Sequence, residues 1–232
     1  GDLVIFYAQP YEGRYQTDNV YWFSYNDAPG LRMAARAATP TGSEPLITTI
    51  TQTLHVEFQR LYQSTFPRPR DADHWFDTPL SPDIASAQTV TRSYELALDD
   101  ALTEGTLRIR AALHGGANRP ADPDKSIAIA LNGHPVAIHQ WEGLTYHLSE
   151  DSAPAAWLDS APNRLHLVAG IAQLPGVGFY SVSPDWVQVS YPALADAEGD
   201  QLYVEGVAAG ANQVRVSGWS TPTVQVYELR DP

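Results

Sequence analysis

The chain has 232 residues, no cysteine, and a formal net charge of −13 from 27 acidic and 14 basic residues. This negative charge would repel phosphate backbones, so nucleic acid is not expected as a partner, and the lack of cysteine excludes disulfides, thiolate metal sites and a cysteine nucleophile within these residues. Six Trp, twelve Tyr and six Phe, beside 18 Pro and 16 Gly, favour sheets joined by many turns over helices.

Apolar runs predict strands in the first part of the chain. Residues 3–7 and 19–25 are both predicted to be buried strands, and residues 26–30 supply turn chemistry after the second. Residues 31–38 predict another strand, and residues 47–62 alternate polar with apolar side chains. Pro, Asp, Arg and Trp dominate residues 67–82, which predicts a loop or linker between two parts of the sheet system.

Further strand candidates follow at short intervals. They are residues 88–98, 105–113, 126–132, 135–140, 145–148, 163–171, 185–191, 201–206, 212–218 and 223–229. Asn132 and Gly133 predict a hairpin turn, and residues 152–158 predict a short helix. Short strands at this spacing, separated by turns, are typical of a β-sandwich.

The order of four segments is that of a jelly roll: residues 105–113, 126–136, 163–168 and 185–192. This order resembles the galactose-binding-like group of carbohydrate-binding and accessory domains. We therefore predict an all-β, jelly-roll-like (galactose-binding-like) sandwich at residues 83–195. An N-terminal β segment and linker at residues 1–82 would precede it, and C-terminal strands at residues 196–232 would complete the same body.

Two strands of this sandwich carry specific predictions. On residues 185–192, either Trp186 or the pair Val187 and Val189 faces the core, depending on register. Residues 223–229 are predicted to pair in the sheet. Because proline lacks a backbone donor, the chain is expected to leave the sheet at Asp231 and Pro232.

The order of several short motifs is similar to that of a known family. The motifs are residues 19–25, 30–33, 55–57 with Tyr62, 74–76, 185–192 and 226–232. Together they resemble the β-rich region that precedes the catalytic domain in gingipain-like cysteine peptidases, including the type IX secretion sortase. That resemblance implies a bacterial protein that is extracellular or attached to the cell surface, and a parent protein that is a cysteine endopeptidase.

In this family a following peptidase domain supplies a His and a Cys for attack on a peptide carbonyl. This chain has no Cys, so no catalytic residue can be carried over to it. The resemblance thus implies a non-catalytic module that packs on, masks or orients the downstream peptidase domain, or binds a surface partner. No signal sequence opens the chain, and its start at Gly1 without Met is what a cut-away leader would leave.

Two other functions stay open at this point. A carbohydrate-binding module of a secreted protein would stack aromatic side chains on a glycan, and Trp141 and Trp75 are the ligand-binding candidates, although most tryptophans are expected to fill the core. A hydrolase using serine or a metal is the other option, but the chain has no Gly-x-Ser-x-Gly motif. No run approaches the roughly 18 apolar residues of a membrane span, so no membrane insertion is expected.

Two groups of residues are candidates for metal or acid–base chemistry. His55 and Glu57 lie two apart on a predicted strand and share a face, as a metal pair or an acid–base pair requires, although a solvent-facing polar row explains them as well. No cofactor is expected apart from calcium, whose candidate ligands are Asp71, Asp73 and Asp77, crowded with His74 in one loop. The neighbouring Arg68 and Arg70 favour ion pairing there instead.

Overall fold

The computed structural model describes residues 6, 8, 18–24, 39–69, 72–160, 162–172, 174–204, 210 and 212–227. Within these residues the strands are β1 (Leu46–Ile47), β2 (Thr49–Glu57), β3 (Leu61–Tyr62), β4 (Trp75–Phe76), β5 (Val90–Leu96), β6 (Thr106–Gly115), β7 (Lys125–Leu131), β8 (His134–Trp141), β9 (Tyr146–Pro154), β10 (Asn163–Ala169), β11 (Val182–Leu194) and β12 (Gln213–Val214). The helical residues of the described part are Ala155–Trp157, a single 3-10 turn. No helix of this part is both long and apolar enough to cross a membrane.

Two four-stranded antiparallel sheets form the body of the protein. Sheet I has the order β5-β10-β7-β8, and sheet II has the order β2-β11-β6-β9. Their facing side chains make one hydrophobic core, to which all eight strands contribute a buried or partly buried side chain. The prediction of an all-β, jelly-roll-like sandwich is confirmed.

Strand β11 shows how the pattern of the sequence fills this core. Val187, Val189 and Tyr191 are buried, and Trp186 is half-buried on the opposite face of sheet II. Of the two registers left open by the sequence, the one with Val187 and Val189 inward is therefore correct. Each such buried aliphatic side chain stabilises the fold by about 1.5–3 kcal/mol.

The hairpin predicted at Asn132 and Gly133 joins β7 to β8. Both residues have positive φ, 49° and 82°, which is the backbone that a tight two-residue turn requires. The Asn132 side chain also accepts a hydrogen bond from the Arg164 N–H at 2.8 Å and donates one to the Trp157 carbonyl at 2.8 Å. These hydrogen bonds join the hairpin turn to β10 and to the 3-10 turn. Of the helix predicted at residues 152–158, only this 3-10 turn forms.

The stretch predicted as a linker at residues 67–82 packs against sheet II. Residues 58–80 are called the flap below and contain the β3–β4 pair. Beyond the end of β2, the flap runs alongside β11. The Asp77 N–H donates a hydrogen bond to the Pro184 carbonyl, and the Leu80 N–H donates one to the Val182 carbonyl, both at 2.8 Å. The Phe66 ring stacks on His114 of β6, with ring centroids 4.1 Å apart. The division of the chain at residues 82 and 195 stays a prediction.

Asp77 fastens the flap to sheet I. Its side chain is 1% exposed, and its carboxylate accepts hydrogen bonds from Arg60 Nη1 at 2.9 Å and from the Tyr94 hydroxyl of β5 at 3.2 Å. The Nε of Arg92, also on β5, lies 3.4 Å from the same carboxylate. This network of side chains connects the flap with sheet I.

Among the strand predictions near the chain ends, three are wrong and one is right only in part for the residues that the structure describes. Residues 19–24 and 223–227 form no strand, and Trp22 is 94% and Val226 84% exposed. Residues 201–204 contain only an isolated bridge, and of residues 212–218 only β12 forms a strand, parallel to β1. The physical reason is that β-propensity measures how well a side chain fits a sheet surface, and no strand among the described residues pairs with residues 19–24 or 223–227.

Other terminal predictions lie outside the described residues. They concern the strand at residues 3–7, of which only Phe6 is described, the strand at residues 31–38, and the exit at Asp231 and Pro232.

Candidate functional site

Three carboxylates converge where the flap meets sheet II. Glu57 ends β2, Asp73 belongs to the flap, and Asp185 lies in β11. One carboxylate oxygen from each lies within 4.8 Å of the others. These three residues are called the carboxylate cluster below.

The backbone explains why these residues meet. In the β2–β11 register Glu57 lies opposite Trp186. The pairing of β11 with β6 shifts between Pro184 and Trp186, so Asp185 is the extra residue of a bulge, a feature that redirects a side chain. Asp73 is held by its own turn, in which its carboxylate accepts a hydrogen bond from the Trp75 N–H at 3.0 Å.

Asp185 is the most strongly perturbed member of the cluster. Its side chain is 4% exposed, and burial raises its pKa from 3.8 to about 6, with further raising by the charges of Glu57 and Asp73. Arg68 opposes this shift, because its Nη1 lies 3.2 Å from an Asp185 carboxylate oxygen.

Aromatic rings enclose the Arg68 side chain, which is 12% exposed. Its guanidinium carbon lies 4.6 Å from the ring centroid of Tyr146 and 5.4 Å from that of Phe76. Burial, followed by the charge of Asp185, raises the pKa of Tyr146 to about 12, so the phenol stays protonated at physiological pH. Arg68 thus joins the flap to sheet II by charge and by ring contacts together.

His55 and Glu57 share one face of β2, as their spacing predicts. His55 Nε2 lies 3.3 Å from a Glu57 carboxylate oxygen, and this hydrogen bond is the main reason that the pKa of Glu57 is lowered. The His55 ring also lies 5.3 Å from the ring of Trp186. Both the polar-row interpretation and an acid–base pair remain compatible with this arrangement.

Oxygen ligands of this type suit a hard cation such as calcium. The three calcium ligands proposed from the sequence do not lie together. Asp73 belongs to the carboxylate cluster, whereas Asp77 is hydrogen-bonded to Arg60. Asp71 lies outside the described residues. Arg68 already neutralises one charge of the cluster. Calcium binding stays a prediction.

Two serine–histidine pairs bear on the option of a serine hydrolase. On sheet I, Ser93 Oγ of β5 and His166 Nδ1 of β10 lie 2.8 Å apart, and among the described residues no carboxylate is hydrogen-bonded to this imidazole. The second pair is buried in sheet II. Ser183 and His114 lie opposite each other in the β11–β6 register, and they are 1% and 0% exposed. Ser183 Oγ and His114 Nε2 have no hydrogen-bond partner in the described part of the chain, so no base activates the hydroxyl. Phe66 covers the imidazole, and burial lowers its pKa.

The two tryptophans predicted to bind a ligand lie in different places. Trp75 is half-buried next to Asp73 and contacts the Tyr62 ring edge-on at 5.3 Å. Trp141 packs against the core and stacks on His147 with ring centroids 4.6 Å apart, away from the carboxylate cluster. Ligand binding by either residue stays a prediction.

Sequence reasoning missed the roles of Asp185 and Arg68. The Pro184–Asp185 step did contain a signal, since a proline inside a strand pattern indicates an edge or a bulge. The arginines were expected to pair with aspartates of their own loop, whereas Arg68 pairs with Asp185, 117 positions away. Only the fold brings these two residues together.

Comparisons with known proteins give a likeness in fold. No protein-family model matches the sequence, and neither does any curated protein. A crystal structure of dimeric latent PorU from Porphyromonas gingivalis matches 80% of this chain with a TM-score of 0.52 and 16% identity. The matched part is 17% of the PorU chain, so this chain spans about a sixth of that protein.

Two carbohydrate-binding modules are more distant. The CBM36-1 domain of a multidomain xylanase, from the hindgut metagenome of Trinervitermes trinervoides, is 8% identical with a TM-score of 0.33, covering 60% of this chain and 95% of that domain. A carbohydrate-binding module CBM36 in complex with calcium and xylotriose is 13% identical with a TM-score of 0.31, covering 62% and 99%. Because both of these TM-scores are below 0.5, we base the likeness in fold on the PorU structure.

Proposed function

We propose that this chain is a non-catalytic accessory β-sandwich of a larger bacterial protein, a secreted or cell-surface gingipain-like cysteine peptidase. The observation that carries the proposal is the likeness to PorU, a gingipain-like type IX sortase, over 80% of this chain. It agrees with the resemblance of the sequence motifs to the region that precedes the catalytic domain in that family. The function would be to pack on or orient the peptidase domain.

The chemistry of the described residues supports a non-catalytic role. The chain has no cysteine, and Ser183 lies buried without a base within hydrogen-bond distance. Of the carboxylates that meet there, Asp185 is paired with Arg68 and Asp77 is paired with Arg60. Such arrangements fasten segments of a fold, and they provide no activated nucleophile.

A contact with an adjoining domain would suit the solvent-facing side of sheet II. There the half-buried Trp186 lies between His55 and Arg110, whose guanidinium carbon is 5.5 Å from the ring centroid. Aromatic and arginine side chains of this kind dominate binding energy in protein interfaces. Charged residues at the rim, such as Glu57 and Glu150, would set orientation more than affinity.

The test is to produce the remainder of the parent protein separately and titrate it with this chain. We expect saturable binding that is at least about tenfold weaker for Trp186→Ala, because loss of an interface aromatic costs more than about 1.4 kcal/mol. Trp157→Ala is the matched control, since Trp157 ends the 3-10 turn and stacks on His134 of β8 in sheet I. Absence of binding, or a parent gene that encodes no peptidase domain, would refute the proposal.

Carbohydrate binding is the competing function, and a glycan array separates the two. Both candidate tryptophans, Trp75 and Trp141, are half-buried, whereas Trp22 is 94% exposed. Glycan binding that disappears in Trp141→Ala or Trp75→Ala at unchanged melting temperature would favour a carbohydrate-binding module instead. A glycosidase in the parent gene would point the same way.

A further inference from the structure

Polar side chains gather at the open side of the sandwich, between the terminal strands β8 of sheet I and β9 of sheet II. His139 of β8 and His147 and Asp151 of β9 are half-buried there. On β9 they alternate with exposed residues, as the buried Ser149 does, so their side chains turn toward the space between the sheets. The three residues are called the histidine group below. Burying such groups costs free energy unless they have partners, so their place in the fold needs a physical reason.

Asp151 orients one of the two imidazoles. His139 Nε2 lies 2.8 Å from Asp151 Oδ2, and the two side chains are 20% and 13% exposed. An ionised carboxylate only accepts hydrogen bonds, so in the neutral His139 ring the proton lies on Nε2 and Nδ1 keeps its lone pair. A carboxylate that holds one ring nitrogen, while the other nitrogen acts as a ligand, is the common arrangement around histidine-bound metal ions.

His147 supplies a second imidazole nitrogen without a partner. Its Nε2 is buried and forms no hydrogen bond within the part of the chain that the structure describes. The ring is held by stacking on Trp141, with centroids 4.6 Å apart and planes 8° apart. A buried nitrogen that has lost its water partners costs free energy, which a bound group would recover.

The separation of the two rings fits one metal ion between them. The ring centroids of His139 and His147 are 5.3 Å apart, with the planes at 54°. At the usual zinc–nitrogen distance of about 2.0–2.1 Å, two imidazoles on one tetrahedral ion have their centroids about 5 Å apart. A cavity of about 620 Å³, lined in part by Asp151, adjoins the group, so an ion has a path from solvent.

We propose that His139 and His147 form a binding site for a borderline divalent metal ion such as Zn²⁺, and that Asp151 is a positioning residue for His139. Imidazole nitrogens suit such ions, whereas the carboxylate cluster, with oxygen ligands alone, suits a hard cation. Because β8 and β9 belong to different sheets, the ion joins sheet I to sheet II at their open side. Two protein ligands leave the other positions on the ion to water.

Calorimetric titration of the chelator-treated full chain with Zn²⁺ measures the site. We expect one ion per chain, and binding about 10-fold weaker or more in Asp151→Asn, which alters only the positioning carboxylate. His147→Phe keeps a ring against Trp141 but has no ligand nitrogen, so it should bind still more weakly. His134→Ala is the matched control, because His134 is exposed on the same strand as His139, and it should bind like the wild type.

Glu57→Gln separates the histidine group from the carboxylate cluster. Zinc binding should be unchanged in this variant, because Glu57 belongs to the cluster where the flap meets sheet II. Binding that survives His147→Phe, or that disappears in Glu57→Gln, would place the ion elsewhere and overturn the proposal. Absence of saturable binding between micromolar and millimolar Zn²⁺ would overturn it as well.

Thermal unfolding gives a second measurement, and it also shows whether each variant folds. An ion that binds only the folded chain should raise the Tm of the wild type by roughly 5–10 °C at about 100 times the dissociation constant. The rise should reverse with a chelator, remain in His134→Ala and be absent in His147→Phe. An equal rise in His147→Phe would contradict a zinc link between the two sheets at this site.

Discussion

Asp185→Asn is expected to change how stability depends on pH. Burial raises the pKa of Asp185 from 3.8 to about 6, so the folded protein binds this proton more tightly than the unfolded chain does. The stabilisation is full below the unfolded value and is lost as the pH rises through about 6. Asparagine has the same shape and does not ionise. The stability of the variant relative to the wild type should therefore increase with pH.

The structure supplies the magnitude of this effect. The Asp185 side chain is 4% exposed, so solvent screens its interactions little. A pKa displaced from 3.8 to about 6 corresponds to about 3 kcal/mol over the whole titration. About half of this, roughly 1.5 kcal/mol, falls between about pH 5 and pH 7.5.

Urea unfolding followed by tryptophan fluorescence at several pH values measures the two free energies. Asp83→Asn is the control, because Asp83 is exposed and its variant should track the wild type across the range. A gap between Asp185→Asn and wild type that is constant with pH, or that shrinks as pH rises, would refute the reasoning about burial and neighbouring charge.

Two further predictions concern buried polar groups. Asp77→Asn should lower the free energy of unfolding by about 2–4 kcal/mol, because Arg60 and Arg92 lose a buried carboxylate. The control Glu95→Gln removes an exposed ion pair with Arg164 at 3.9 Å and should change the free energy of unfolding by less than about 0.5 kcal/mol. Equal losses in urea titrations would contradict this. Burial, and then the charge of His139, lowers the pKa of His147, so the wild type should lose stability relative to His147→Phe as the pH falls below about 6.5. A gap independent of pH would argue against a buried neutral imidazole.

Local signals predicted most of the sandwich. Alternation of apolar side chains located the strands β5 to β11, and Asn132 with Gly133 located the hairpin, because strand periodicity and turn backbone are properties of a few adjacent residues. The inward face of β11 could not be chosen from the sequence. It depends on the bulge at Asp185, which only pairing with β6 produces.

The chain ends show the limit of the same reasoning. Val224 and Val226 alternate with polar residues as in a strand, yet residues 223–227 are exposed and unpaired with a sheet. A periodic pattern states which side chains would share a face, and pairing additionally needs a free strand edge at the right place. Near the other end of the chain, Trp22 lies in a more strongly apolar strand pattern, and it is likewise exposed and forms no strand.

The sequence predicted only the contact of the candidate site that residues close together in the chain form. The contact of His55 with Glu57 follows from a spacing of two on one strand, so it could be predicted. Arg68 and Asp185 lie 117 positions apart, and no local pattern links them. The loop aspartates were treated as one group, but Asp73 lies with Glu57 and Asp185, whereas Asp77 bonds Arg60 and Tyr94.

The flap therefore connects fold and site through one segment. Asp77 fastens it to sheet I, and Arg68 fastens it to sheet II at Asp185. The same segment brings Asp73 to Glu57, so the carboxylate cluster exists only while the flap is in place. Asp77 and Asp185 are both paired with arginines, and the pairs with Arg92 and Arg68 join the flap to other elements. A module whose ionisable residues mainly fasten its own segments is suited to presenting a rigid surface, which is the role expected of an accessory domain.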